Sequence, residues 1–335
     1  MCVSIAMTTF HGAKYLRTQL DSILNQTIRP HEIMICDDKS SDDTVAVIEK
    51  FQSETDVAVH LIVNEQRLGY RENFRKAANL CSGAYIAFCD QDDFWLPNKL
   101  ECSIAAMERE DALLSIHAYI PVNSSEPDIT PPKHRARRAF ATTPFEKDPR
   151  AYGLGFSIVF HRQLLAFDQF WDSSKDFFDP QFKEAHDQWF FGLAAGLGKV
   201  AYCSEPLVLY RQHSANTAGA PRPTKTIGAA LRKVRGHKEA LTVELSSFRA
   251  REAIFLEIGR GEGPYQQRAL ETAADYAGLC GYLEDRIRCI NAPDKRDRLT
   301  SFARMATNGF YQNLKFKGHP RSAMAKDFLS AIMSK

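Results

Sequence analysis

The chain has 335 residues, 44% apolar, 11% aromatic and 25% charged. That balance excludes disordered, collagen-like and membrane-spanning classes and leaves room for one large domain with an appendage, or two domains. The net charge of +2 conceals a division, because residues 221–335 carry 21 Lys and Arg against 12 Asp and Glu, giving +9 there and −7 over residues 1–220. The longest apolar runs, Tyr85–Cys89 and Leu113–Ile116, fall far short of the roughly 18 residues that cross a bilayer. Met1 leads straight into a strand-like segment, so neither a transmembrane helix nor a cleaved signal peptide is expected. Eight scattered cysteines without a CxxC pair are expected to be reduced and mostly buried, in a cytoplasmic protein.

In chain order, Met1–Thr9 reads as a buried strand and Ala13–Asn25 as a helix, with Leu16, Leu20, Ile23 and Leu24 at helical spacing. Glu32–Cys36 is a second strand. Asp37-Asp38 and the Ser/Asp turn Lys39–Asp43 follow it, capping a helix that carries Val45, Val47, Ile48 and Phe51. Val57–Val63, Glu72–Cys81 and Ala84–Cys89 continue as strand, helix and strand. This alternation predicts an α/β fold with a mostly parallel, twisted sheet flanked by helices. Pro121–Arg150, with six prolines and the basic run Lys133–Arg138, reads as a long mobile loop. Gly153–Phe160 is expected as a strand, Phe182–Leu197 as a helix and Lys199–Tyr210 as a strand-rich return. Beyond Pro223 the pattern is helical, giving two expected domains, 1–220 and a basic helical region 221–335.

Ligands of such sheets bind beyond the carboxyl ends of the strands. Four polar clusters, Thr8-Thr9, Asp37-Asp38, Asn64–Arg67 and Asp90–Asp93, lie at predicted strand ends. The sharpest is Asp90-Gln91-Asp92-Asp93-Phe94-Trp95. Three carboxylates in four residues repel one another unless a cation neutralises them, and oxygen ligands of this kind suit Mg²⁺ or Mn²⁺ shared with a substrate phosphate. Capping of the next helix explains one of these aspartates but not three. His186-Asp187-Gln188-Trp189 opens a predicted helix, where an aspartate is commonly a partner of the helix dipole. Tyr210-Arg211-Gln212-His213 closes the last predicted strand.

In this order the segments Val3–Thr9, Cys36–Thr44, Asn64–Asn79, Gly83–Leu100, His186–Gly192 and Glu205–Asn216 resemble the family 2 inverting glycosyltransferases of the GT-A fold, particularly bacterial rhamnosyltransferase-like members. Thr9-Phe10-His11 departs from the family's Thr-Tyr-Asn-like turn, Lys39 stands where glycine is common, and His186 stands where many members have glutamate. The resemblance implies that Thr8, Asp37, Asp38, Arg67, Asp90 and Arg211 bind the nucleotide-sugar donor, and that Asp92, Asp90 and His213 serve the metal. It also implies that Asp187 is the catalytic base and that Gly153–Phe156 lines the acceptor site. The implied partners are a dTDP-rhamnose or UDP-hexose donor and a glycan or lipid-linked glycan acceptor, at the inner face of the plasma membrane. Lys225, Arg232, Lys233, Arg235 and Lys238 offer a peripheral anionic-membrane contact; no motif indicates nucleic acid.

Three other classes stay in view. A Rossmann oxidoreductase needs GxGxxG at the first strand–helix turn, whereas Thr8–Lys14 holds one glycine. A phosphohydrolase with Asp90 as nucleophile accounts for the acidic turn but not for Asp187. A non-catalytic nucleotide- or glycan-binding scaffold accounts for the sheet alone.

Overall fold

The computed structural model describes residues 2–122, 140–142, 153–212, 236–308, 310–311 and 320–333. Two compact units result: one formed by residues 1–143, 152–169 and 185–220, the other by 144–151, 170–184 and 221–335.

In the first unit, strands and helices alternate as β1 (Val3–Thr9), α1 (Ala13–Leu24), β2 (Glu32–Asp37), α2 (Thr44–Glu54), β3 (Ala58–Val63), α3 (Tyr70–Leu80) and β4 (Tyr85–Cys89). There follow β5 (Phe94–Trp95), α4 (Lys99–Glu110), β6 (Leu114–Val122), β7 (Phe140–Thr142), β8 (Val159–His161), α5 (His186–Leu197) and β9 (Val200–Arg211). The sheet runs β3-β2-β1-β4-β8-β6-β9-β5, with β7 on β9. β1 to β4 are parallel, as the βαβ alternation requires. Beyond β4 the sheet is mixed, because β8 enters antiparallel between β4 and β6. The central strands β1 and β2 are buried along nearly their whole length, whereas edge strand β3 alternates exposed and half-buried positions. Val3, Ile5, Met7, Ile33, Ile35, Ala87 and Cys89 form the core with Leu16, Leu20 and Ile23 of α1 and Ile48 and Phe51 of α2.

Three expectations are corrected. The segment expected as a strand over Gly153–Phe160 instead makes a 3-10 turn, Gly155–Ser157, before the short β8. Local bonds win there: the Ser157 N–H and hydroxyl both donate to the Leu154 carbonyl, at 2.8 and 2.7 Å. The helix expected from Phe182 begins only at His186; upstream, Asp176 accepts from the N–H groups of Phe178 and Asp179, and Ser174 accepts from Glu184 N–H, holding the chain in turns. The loop expected over Pro121–Arg150 gives its first two residues to β6 and Phe140–Thr142 to β7, which pairs with β9. Lys133–Arg138 lies outside the described residues.

The second unit is helical, with α6 (His237–Arg260), α7 (Gln266–Ile290), α8 (Lys295–Thr307) and α9 (Pro320–Met333). α6 and α7 pack along each other, with Phe248 and Phe255 against Tyr276. Two buried ion-pair networks pin it. Arg251 grips Glu184 with two bonds of 2.7 and 2.9 Å and donates to Tyr276. Asp327 accepts from His237, Arg286 and Tyr311 at 2.7–2.9 Å. Among the described residues no helix is long and apolar enough to cross a membrane. Of the five basic residues proposed to meet a membrane only Lys238 is described, and it is exposed.

Candidate active site

The parallel register sets the site. Thr9 lies opposite Asp37, Asp37 opposite Val63, and Met7 opposite Cys89. The polar clusters that follow β1, β2, β3 and β4 therefore share one sheet edge.

The loops at this edge are laced together. Gln91 and Phe10 exchange a reciprocal pair of bonds: Phe10 N–H donates to Gln91 Oε1 at 2.9 Å, and Gln91 Nε2 donates to the Phe10 carbonyl at 3.0 Å. Thr44 Oγ1 accepts from Gly12 N–H at 2.8 Å, and Ser40 Oγ accepts from His11 N–H at 2.9 Å. His11 and Lys39 hold φ of +49° and +65°, left-handed conformations that cost a side chain about 1–3 kcal/mol and are met chiefly where surroundings impose them. At Lys39 the resemblance leads one to expect glycine, which adopts such a φ without strain.

Asp37 and Asp38 are buried and engaged with the protein. Asp37 accepts from Thr9 Oγ1, Ser40 N–H and Ser40 Oγ at 2.6–2.7 Å. Asp38 accepts from Leu68 N–H, Gly69 N–H and Asn64 Nδ2 at 2.6–3.1 Å, fixing the loop after β3. Arg67 is exposed, lies 3.9 Å over the Phe10 ring and sits 3.9 Å from Asp38; Phe10 in turn stacks on His11 at 4.1 Å. Thr8 is half-buried at the end of β1.

The acidic turn between β4 and β5 carries Asp90 and Asp92 half-buried and Asp93 fully buried. Burial, then the carboxylates of Asp92 and Asp187, push the Asp90 carboxyl up to about 7. Asp187, nearly a hundred residues further on, is thus within electrostatic reach of Asp90. Asp187 opens α5, half-buried, and Gln188 N–H donates to its Oδ1 at 2.8 Å. His186 beside it is buried against Phe74 at 3.9 Å and Phe88 at 4.7 Å; burial and Arg71 push its ring down to about 3. The Phe74-facing ring fits only because residue 155 is glycine: a Cβ there would stand 2.4 Å from His186 Nε2.

Arg211 closes β9. It is 1% exposed, donates from Nε to the Asp92 carbonyl at 2.7 Å and from its backbone N–H to Asp93 Oδ1 at 3.1 Å, and lies over Tyr15. It braces the acidic turn through these bonds. His213 lies outside the described residues.

Among the described residues no three His, Cys, Asp or Glu side chains are grouped as a metal cage. A crowded pair of carboxylates is nonetheless what a hard cation needs when substrate phosphates and water supply the rest of its shell, so Asp90 and Asp92 fit Mg²⁺ or Mn²⁺.

Residues 4–167 match the model for glycosyl transferase family 2. These residues are a family 2 glycosyltransferase domain. The chain is 32% identical over 123 residues, 37% of its length, to the Escherichia coli UDP-Glc:alpha-D-GlcNAc-diphosphoundecaprenol beta-1,3-glucosyltransferase WfgD, and spans 47% of that protein. It is 28% identical over 223 residues to the Shigella flexneri dTDP-rhamnosyl transferase RfbG, covering 64% of this chain and 74% of the other. In fold it is similar to S. aureus TarS 1–349 in complex with UDP-GlcNAc, at a TM-score of 0.55 and 15% identity over the whole chain and 91% of TarS 1–349. The family 2 model ends before Asp187 and Arg211, so those positions rest on the geometry above.

Sequence reasoning fixed on carboxylates, passed over Gln91 and Gly12, and took Gly155 only as part of the acceptor-lining segment Gly153–Phe156. Gln91 lies inside the acidic motif and could have been flagged by its place at a strand end. The others show themselves only by what approaches them in space.

Proposed function

We propose that this protein transfers a sugar from a nucleoside-diphosphate sugar to a hydroxyl of a glycan or lipid-linked glycan acceptor, with inversion, in the synthesis of a bacterial surface polysaccharide. The observation that carries this is the convergence of Asp90 and Asp92, after β4, with Asp187, at the start of α5, closely enough to shift the Asp90 carboxyl. Similarity to RfbG and WfgD supports dTDP-rhamnose or a UDP-hexose as donor.

Asp187 is the base. The acceptor hydroxyl gives its proton to the Asp187 carboxylate as its oxygen bonds to the anomeric carbon, and the bond from that carbon to the diphosphate oxygen breaks on the opposite face. The electron pair leaves with the nucleoside diphosphate. One in-line displacement inverts the anomeric centre, and such a base contributes roughly 10²–10⁴-fold. Mg²⁺ or Mn²⁺ held by Asp90 and Asp92 supplies neutralisation of the charge that develops on the diphosphate. Arg211 holds the backbone of the turn that presents those carboxylates, and the Phe10–Gln91 pair holds the neighbouring loop. Peripheral contact with an anionic membrane rests on the +9 charge of residues 221–335.

A thermal-shift screen of nucleotide sugars with Mn²⁺ and Mg²⁺ tests the reading. At 100 times its dissociation constant a donor stabilises the folded state by about 2.7 kcal/mol. We expect that shift for dTDP-rhamnose or a UDP-hexose, only with metal, and none in Asp92→Ala. A full shift in Asp92→Ala, or no response to any nucleotide sugar, overturns it.

A further inference from the structure

The helical unit holds a cavity of about 600 Å³ between α7 and α8, within the range of roughly 300–1,000 Å³ usual for small-molecule sites. It takes no part in the chemistry proposed above. Tyr282 of α7, Met305 of α8 and Phe310 just beyond α8 line it, the two rings stacked at 4.6 Å. Arg288, Asp285 and Arg304 line it as well. Gly278 also borders it, and a Cβ built there would meet nothing within 4 Å.

Neighbouring helices ordinarily interdigitate their side chains and leave few voids larger than a water molecule; here glycine at 278 leaves the space open. The charges around it are unevenly matched. Arg288 pairs with Asp285 at 2.9 Å, an exposed contact of little strength. Arg304 is exposed and makes no side-chain bond to any described residue. Arg286, 5.3 Å from the centroid of the Tyr282 ring, is committed to Asp327 through two bonds. Among the described lining residues the balance is thus two guanidiniums against one carboxylate. The planar fork of guanidinium donors suits phosphate oxygens, while the stacked rings and Met305 offer an apolar wall. A cationic rim and an apolar wall in one cavity call for a ligand that has both an anionic and an apolar part.

We propose that this cavity binds a phosphate-bearing amphiphile, its phosphate at Arg288 and Arg304 and its apolar part on Tyr282, Met305 and Phe310. The site stands independently of the function proposed above; only its use for a lipid-linked acceptor rests on that reading. A phosphate can meet the same arginines free or carried on an apolar chain, so the test separates the two.

The test is calorimetric titration of the full chain with geranyl diphosphate and with inorganic diphosphate, in EDTA so that no divalent cation serves the donor site. Geranyl diphosphate is expected to bind tenfold or more tightly than inorganic diphosphate. Arg304→Glu reverses the unpaired charge at an exposed position, and Gly278→Leu fills the cavity while favouring the helix. Each is expected to weaken geranyl diphosphate binding tenfold or more and to melt within a few degrees of the parent, whereas Asp92→Ala should bind as the parent does. Equal affinity for inorganic diphosphate marks a free-anion site and overturns the amphiphile. No binding of geranyl diphosphate, binding that either Arg304→Glu or Gly278→Leu leaves unchanged, or binding lost in Asp92→Ala, overturns the site. A parent that binds geranyl diphosphate as expected but no UDP in Mn²⁺ overturns the donor reading and not this site.

Discussion

Gly12 closes β1 onto α1 with φ −103°, a conformation open to any residue. Alanine there would nevertheless place its Cβ 2.0 Å from Gln91 Oε1 and 2.5 Å from Gln91 Cδ; the three nearest atoms all belong to that one side chain. No such contact can exist, so Gly12→Ala must expel the Gln91 carboxamide and break both bonds to the Phe10 backbone. At about 0.5–1.5 kcal/mol net for each bond, the loss is about 1–3 kcal/mol. In a Gln91→Ala background those bonds are already gone and the space is open. There Gly12→Ala should be neutral or stabilise by up to about 1 kcal/mol, because alanine narrows the unfolded ensemble. Chemical denaturation of the parent, the two single variants and the double variant measures this. The predicted result is a change of sign between backgrounds. Equal cost in both would show that Gly12 is constrained by something other than Gln91, and the lacing of the loops after β1 and β4 would lose its main support.

Two further outcomes follow from the geometry. Gly155→Ala drives a Cβ to 2.4 Å from His186 Nε2, and since Phe74 and Phe88 close the other sides of that ring, the start of α5 must shift with Asp187 on it. The turnover number for transfer should fall tenfold or more with donor affinity little changed, misplacement of about 1 Å being worth up to 10²-fold; equal losses in both would contradict it. In the helical unit, burial raises the Asp327 carboxyl, but bonds from His237, Arg286 and Tyr311 outweigh it and hold the group below the ordinary value. A depressed carboxyl stabilises the fold above its unfolded pKa and loses that contribution as pH falls through the folded one. The stability gap between parent and Asp327→Asn should thus be full near neutrality and shrink below about pH 4; a gap that grows in acid would refute the assignment.

The parallel half of the sheet was legible because each strand and helix from β1 to β4 carries its own periodicity and its own terminal polar cluster. The mixed half was not. β7 and β8 are three residues each and exist through pairing with β9, β4 and β6, which no local pattern announces. The acidic turn and Asp187 could be named from the sequence, since carboxylate chemistry shows in residue identity. What could not be read was the bracing: Asp37 also holds the Ser40 turn and Arg211 the Asp92 carbonyl. Lys39 was visible as a departure from the pattern the resemblance implies, and its left-handed φ shows why glycine suits that position.

The most direct test of the central claim compares Asp187→Asn with the parent in two assays, sugar transfer and donor binding in Mn²⁺. The substitution keeps size and hydrogen bonding but removes the proton acceptor. Transfer should fall by roughly 10²–10⁴-fold while donor affinity stays within a few-fold of the parent. Full transfer by Asp187→Asn would contradict the account.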